Sequence, residues 1–261
     1  MVQEDIIYCG ETAAVNLLEP FEESEKNEYI NELFAGLITL TTLSHIYHRK
    51  VKRNLSEPIK TNIGAGDAVR RDISEAMEKN VSEFSAGKQY QMAREMLEAK
   101  KDVSFDDFKR EASAIFEKYN DNYLLTEYDT AVSSTERASD FVDAMESEAD
   151  FPLVEYVTQR DDRVRPAHRA LDKIILPVTH SFWRKYWPPN GWNCRCFTAK
   201  REKGTETELS AELIKDIRDN TPELFRKNPA ITGELFSKDH PYFDVEPGDS
   251  GLRDNNFNLP L

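Results

Sequence analysis

Three cysteines in 261 residues, two of them separated by a single position, cannot form the paired framework of a small secreted fold, so a reducing compartment is expected. No apolar run approaches the roughly 18 residues that a membrane span needs. The opening Met1-Val2-Gln3-Glu4-Asp5 has no basic region of the kind that starts an export signal, which predicts synthesis in the cytoplasm. Gly-Lys-Ser/Thr loops, Gly-x-Ser-x-Gly elbows and His-Glu-x-x-His pairs are all missing, and with them the common routes to phosphate-loop, serine-hydrolase and zinc-protease chemistry. Positive charge is short as well. A net charge of −14 excludes a surface that grips nucleic acid all over, because each phosphate contact needs a cation.

What the chain does contain is concentrated between Thr158 and Lys203. All three tryptophans (Trp183, Trp187, Trp192), Cys194, Cys196, His168 and His180 fall there. From Arg160 to Lys203 there are 11 Lys and Arg against 4 Asp and Glu, a local +7 that leaves −21 for the remainder. A basic, aromatic segment is thus embedded in an acidic chain, suited to touching DNA or an acidic protein surface.

The order Asp161, Arg163, Arg165, His168, Asp172, then Trp187-Pro188-Pro189, then Asn193-Cys194-Arg195-Cys196 reads D-x-R-x-R-x-x-H … W-P-P-x-x-x-N-C-R-C. It resembles the signature of the phage Mu F-like minor head proteins, also called head morphogenesis proteins, over roughly residues 120 to 200 if Thr126–Ser134 is included. The resemblance implies a minor capsid protein of a tailed phage or prophage that associates with the portal and influences head assembly or the packaged DNA. It implies residence in the bacterial host cytoplasm during assembly and then in the virion head. Portal and capsid proteins are the implied partners, with packaged DNA a further candidate and no membrane.

Residues 1–24 are acidic and read as an arm. From Glu25 to about Asn54, Tyr29, Leu33, Leu37, Leu40 and Ile46 predict one helix with a broad apolar face, ending in His-Arg-Lys-Val-Lys-Arg-Asn. His45 and His48 would be surface residues near its end. Ser56–Asp67 reads as a connection in which Gly64-Ala65-Gly66 is a turn, and a helix is capped near Asp67. Further helices are expected over Gln89–Lys101, after the capping residue Ser104, and from Asn122 to about Ala149. After Pro152 the pattern changes: Leu153–Val157 alternates as a strand, and Pro166 starts a two-turn helix. Strands are then predicted at Ile174–Leu176, Phe182–Trp187 and Asn193–Phe197, with Pro188–Gly191 the turn between the last two. A helix over Thr207–Asn220 and a turn-rich tail follow. The fold class predicted is α+β: a mainly helical body (25–150), a small irregular α+β module carrying the His…Cys-Arg-Cys motif (151–203), and a helix plus tail (204–261).

Within the module, Cys194 and Cys196 at i, i+2 would share a strand face, and His168 and Asp172 at i, i+4 would share a helix face. Two sulfurs, one nitrogen and one oxygen match the ligand types of a tetrahedral structural zinc site. The alternatives are a reduced pair in a small core with His168 bonded to Asp161 or Asp172, or a redox or catalytic role. His180 and His240 stand as reserve ligands. Arg163 and Arg165 would form ion pairs with Asp161, Asp162 or Asp172, or, with Arg195, grip a phosphate or partner. Trp187 and Trp192 are predicted core residues; Trp183, beside Arg184 and Lys185, is predicted to present a docking surface. No catalytic constellation emerges, and a non-enzymatic role is expected. The competing class is a metal-dependent or toxin-associated catalytic unit built on the same His, Asp and Cys residues.

Overall fold

The computed structural model describes residues 18–63, 67–101, 103–245 and 253–259. The Gly64–Gly66 turn and the arm's first 17 residues lie outside them.

Helix α1 (Glu23–Ala35) begins with a reciprocal cap between Glu22 and Glu25 and stops at Gly36, whose φ of 77° is open to glycine at little steric cost. The single helix expected over 25–54 is therefore two. Helix α2 (His45–Asn62) restarts where the Ser44 hydroxyl accepts from the Tyr47 amide, and it runs through Pro58 into the stretch read as a connection. Its early position buries His48 completely, contrary to the surface role expected of it. The 32-residue α3 (Ala68–Ala99) is capped by Asp67, as its sequence foretold. It is buried on all sides from Asn80 to Ala93, apart from half-buried Glu83. Helix α4 (Phe105–Glu117) starts at the Ser104 cap, and a π-helical segment, Lys118–Tyr123, joins it to α5 (Leu124–Glu146).

These helices enclose one apolar core, which the C-terminal part of the chain completes. The 3-10 turn Pro241–Phe243 lies against Gly87, where a Cβ would come 2.1 Å from the Tyr242 carbonyl oxygen. Glycine there is what allows the backbones to touch. Phe257 and Leu259 are buried in the same core, so this part of the expected tail is packed structure.

The module forms a second core against the far part of α5, from Phe141 to Ala144. Strands β1 (Leu153–Val157), β2 (Ile175–Pro177) and β3 (Phe197–Arg201) make an antiparallel sheet in the order β2-β1-β3. Leu153 pairs with Pro177 on one side and with Arg201 on the other. Two predicted strands are corrected. Trp183–Tyr186 is a short helix, α7, launched where His180 Nδ1 accepts the Phe182 amide at 3.1 Å, and α6 (Pro166–Arg169) is likewise a single turn. Trp192–Asn193 is a turn, Asn193 taking φ 53°, which an extended strand cannot contain; Cys194–Cys196 is irregular, and β3 starts only at Phe197. Helix α8 (Ala211–Asn220) covers this core with Ile217, and a one-turn α9 (Pro229–Thr232) follows. The protein is mainly helical α+β.

Candidate metal centre

The turn of α6 carries His168 inward, and the turn before β3 brings Cys194 and Cys196 against it; all three are buried. His168 Nδ1 lies 3.7 Å from Cys194 Sγ and 3.5 Å from Cys196 Sγ, and the three donor atoms lie within 4.8 Å of one another. A tetrahedral zinc with Zn–S of about 2.3 Å and Zn–N of about 2.0 Å would hold sulfur and nitrogen about 3.5 Å apart. The donors are therefore already at the separation such an ion imposes.

The other imidazole nitrogen is committed. His168 Nε2 lies 3.3 Å from the Asn190 carbonyl oxygen, so it carries the proton and leaves Nδ1 as the lone-pair donor. Asn190 is itself fixed. Its Oδ1 accepts from the Tyr156 hydroxyl at 2.8 Å, and its Nδ2 faces the carbonyls of Trp187 and Phe225 at 3.4 and 3.3 Å. This support comes from β1 and from the Pro188-Pro189-Asn190-Gly191 stretch, which the sequence marked only as a turn. The sulfurs share a hydrogen bond that holds the Cys194 thiol well below its usual pKa and pushes Cys196 up. A pair split in this way has one sulfur ready to bind a cation as thiolate.

Asp172, the oxygen ligand expected from helical spacing, is elsewhere. Helix α6 ends at Arg169 and Lys173 adopts φ 66°, so no second turn exists to keep Asp172 on the His168 face. Its Oδ1 accepts from the Thr158 amide at 2.9 Å and hydroxyl at 3.0 Å, and Arg160 sits 3.1 Å from Oδ2. Burial works against its charge, but these hydrogen bonds prevail and hold its pKa below the normal range. The alternative in which His168 bonds Asp161 fails too, because Asp161 makes a two-pronged pair with Arg195 at 2.7 and 2.9 Å. Of the reserve histidines, His180 starts α7 and His240 packs among Phe84, Trp192 and Tyr242, far from donating to this cluster.

The three donors line a cavity of about 210 Å³ together with Arg163, Arg165 and Arg195. Beside it lies a second cavity of about 340 Å³ that holds Asp161, Asp162 and Asp172 with Arg160 and Arg169. The loop 158–165 separates the two.

Residues 71–199 match the family model described as Phage Mu protein F like protein. Through this region, just under half of its length, the chain is similar to the Mu F-like family. Its 127 residues aligned with protein F of Escherichia phage Mu, named for capsid assembly, are 31% identical and cover 46% of this chain and 28% of that one. A 59-residue stretch is 36% identical to the Mu-like prophage FluMu F protein of Haemophilus influenzae, over 23% of this chain and 14% of the relative. The chain thus spans less than a third of either relative, and no solved structure matches it.

The Mu F-like region ends inside β3, so it contains the whole cluster and also the residues expected to dock. Trp183 is not a surface residue. It is 1% exposed, its Nε1 donates to the Pro177 carbonyl at 2.9 Å, and its ring meets Trp187 edge to face. A tryptophan next to two cations in sequence was read as a docking ring, but in a single helical turn neighbours point to different sides. Arg184 and Lys185 are the exposed side of α7, and neither makes an ion pair among the described residues. Trp187 is a core residue as expected, and its Nε1 donates to Arg137 O at 2.7 Å. Trp192 is half-buried against Phe225 and Phe236, so it packs on the helical body.

Proposed function

We propose that this chain is a phage or prophage head-assembly protein whose sheet module docks on a portal or capsid protein. The observation that carries the reading is the match to the Mu F-like family across residues 71–199, which takes in most of α3, all of α4 and α5, and the module as far as β3. The relative named for capsid assembly supports the same direction. The docking face is α7, where Arg184 and Lys185 project without acidic partners among the described residues. Arg163, Arg165 and Arg195 border the cavity nearby in sequence and extend the basic character toward the cluster. In this role the chain works in the host during assembly and afterwards in the virion head. No described helix is long and apolar enough to cross a membrane.

The cluster supports a zinc ion held by His168 Nδ1, Cys194 Sγ and Cys196 Sγ, because two sulfurs and an oriented imidazole are a donor set zinc favours. Its task here is to clamp α6 to the turn before β3; the reading assigns no catalytic residue. Elemental analysis of reduced, tag-free protein tests this, with about one zinc per chain expected and none in His168→Ala.

Docking is tested by co-expression with the portal and major capsid proteins of the same phage or prophage. Co-purification with one of them is expected, and Arg184→Glu with Lys185→Glu should weaken it at least tenfold, since reversed charge at a complementary rim costs association directly. If the native chain binds neither protein, the docking reading is wrong. Packaged DNA is the second candidate for the same basic face, favoured by the local +7 between Arg160 and Lys203. Its signature is an affinity that collapses as salt rises.

A further inference from the structure

We infer that the ion at His168, Cys194 and Cys196 keeps its fourth position for an oxyanion, of the phosphate or carboxylate kind, which enters through the arginine-lined cavity and is gripped by Arg165. This rests on the metal reading above and adds to it what completes the coordination.

Three features carry the inference. Among the described residues only three metal-binding side chains converge, and the fourth one expected, Asp172, spends its oxygens on Thr158 and Arg160. A site with three protein ligands and one open position is the arrangement that takes an outside ligand. All three donors also face the same 210 Å³ cavity, whose lining includes Arg163, Arg165 and Arg195 and not one carboxylate. The acids of this region line the neighbouring cavity instead. That volume equals several waters at about 30 Å³ each, enough for a tetrahedral or planar oxyanion.

The third feature is Arg165 itself. Its Nη2 donates to the Trp192 carbonyl at 2.6 Å, it makes no ion pair among the described residues, and its remaining N–H groups are left for a ligand. Gly191 is what lets the guanidinium lie beside the imidazole: a Cβ there would come 2.8 Å from Arg165 Nη1 and 3.4 Å from His168 Nε2. Charge closes the argument. Two thiolates neutralise a divalent zinc, so an anion at the fourth position gains no net attraction from the centre and needs cations around it. Arg165 supplies one in a fork suited to two oxygens.

The test uses the full chain with cobalt(II) in place of zinc. Thiolate-to-cobalt absorption in the near ultraviolet reports the metal, and the visible ligand-field bands report the fourth ligand. Titration with inorganic phosphate and, separately, with acetate should shift the visible bands saturably while the ultraviolet band stays. The anion that binds more tightly identifies which source the cavity prefers. Arg165→Gln should weaken that binding roughly tenfold, the size of a lost charge-assisted hydrogen bond, with Arg165→Lys in between. Intact cobalt–thiolate absorption with no response to either anion overturns the open position and leaves the metal reading standing. So does a third thiolate contribution that vanishes in Cys9→Ser, because the chain would then fill the position itself. No cobalt–thiolate absorption in the reduced native protein removes the metal, and this inference with it.

Discussion

The helical body and the sheet module each bury a cluster of polar groups, and the two clusters are built in opposite ways. In the body, Lys88 Nζ donates to the Tyr119 carbonyl at 2.7 Å and to Glu127 Oε2 at 2.5 Å, while the Tyr242 hydroxyl donates to Glu127 Oε1 at 2.9 Å. Donors meet acceptors and the network closes on itself. In the module, the His168 nitrogen and the Cys194 and Cys196 sulfurs, each a possible metal ligand, lie within 4.8 Å of one another. The first arrangement is a finished structural element. The second leaves three donors that a cation would complete, which the more deeply buried pair does not.

The comparison breaks most visibly at Lys88. Both partners are buried, and desolvation holds the lysine's pKa below its normal range despite Glu127. Lys88→Met leaves Glu127 as a buried charge facing only Tyr242, and an unfolding free energy lower by about 3–5 kcal/mol is expected in urea titration. Lys88→Met combined with Glu127→Leu should recover much of that loss. A double variant no better than the single one would mean that the pair itself, and not the orphaned charge, holds the helices together.

A second probe of the body is acid. His48 is fully buried on α2 with Nε2 at 3.1 Å from the Ser82 carbonyl, and burial pushes its pKa down to about 4. Above pH 6.5 the ring is neutral in both folded and unfolded chains, so its contribution is complete there. As pH falls from 6.5 toward 4, only the unfolded chain takes up the proton, and up to about 3 kcal/mol is lost. His48→Gln, which preserves a donor to Ser82, should flatten that part of the stability curve. His240, also held down to about 4 by burial, contributes in the same direction and remains in the variant. An unchanged slope in His48→Gln would show that the ring takes up its proton as readily in the folded protein as in the unfolded chain.

The module should respond to metal where the body does not. Zinc at a hundred times its dissociation constant adds about 2.7 kcal/mol to whatever unit folds around it. Hydrogen exchange is expected to show amides of β1 and β3 losing protection on chelation, with the amides of α3 between Phe84 and Ala93 unaffected. Equal loss in both would mean that α5, which contributes Ala138 to one core and Ala144 to the other, couples them into a single cooperative unit.

How much of this could be read from the sequence differs between the regions for a physical reason. The body's helices follow from periodicity and caps, and Asp67 and Ser104 begin helices as their side chains dictate. The break at Gly36 was hidden because Leu37, Ile38 and Leu40 continue the apolar rhythm, although Leu37 ends up exposed. Phe257 and Leu259 read as tail because two apolar residues make no period. In the module, ligand chemistry and the family resemblance pointed to His168, Cys194 and Cys196, although the strand face expected of the two cysteines is not formed. Asp172 misled because i, i+4 places side chains together only while a helix persists, and α6 is one turn long. Trp183 misled for a similar reason. Asn190 and Gly191 carried no signal, since what they do depends on which loop folds beside them.

Tyr156 offers the smallest and most discriminating test. Its hydroxyl supports Asn190, Asn190 supports His168 Nε2, and that contact selects Nδ1 as the donor to the metal. Tyr156→Phe keeps the ring in the core and should cost only about 1 kcal/mol in stability, the value of one buried hydrogen bond. If the chain of support orients the histidine, the same variant should also lower zinc affinity by about 10-fold, the lower end of what lost outer hydrogen bonds cost. Competition with a chromophoric chelator measures this. A stability loss with unchanged affinity would mean that the loop backbone alone holds Asn190 against the imidazole. In that case the cluster, like the pair at Lys88, is fixed by packing and does not depend on the tyrosine.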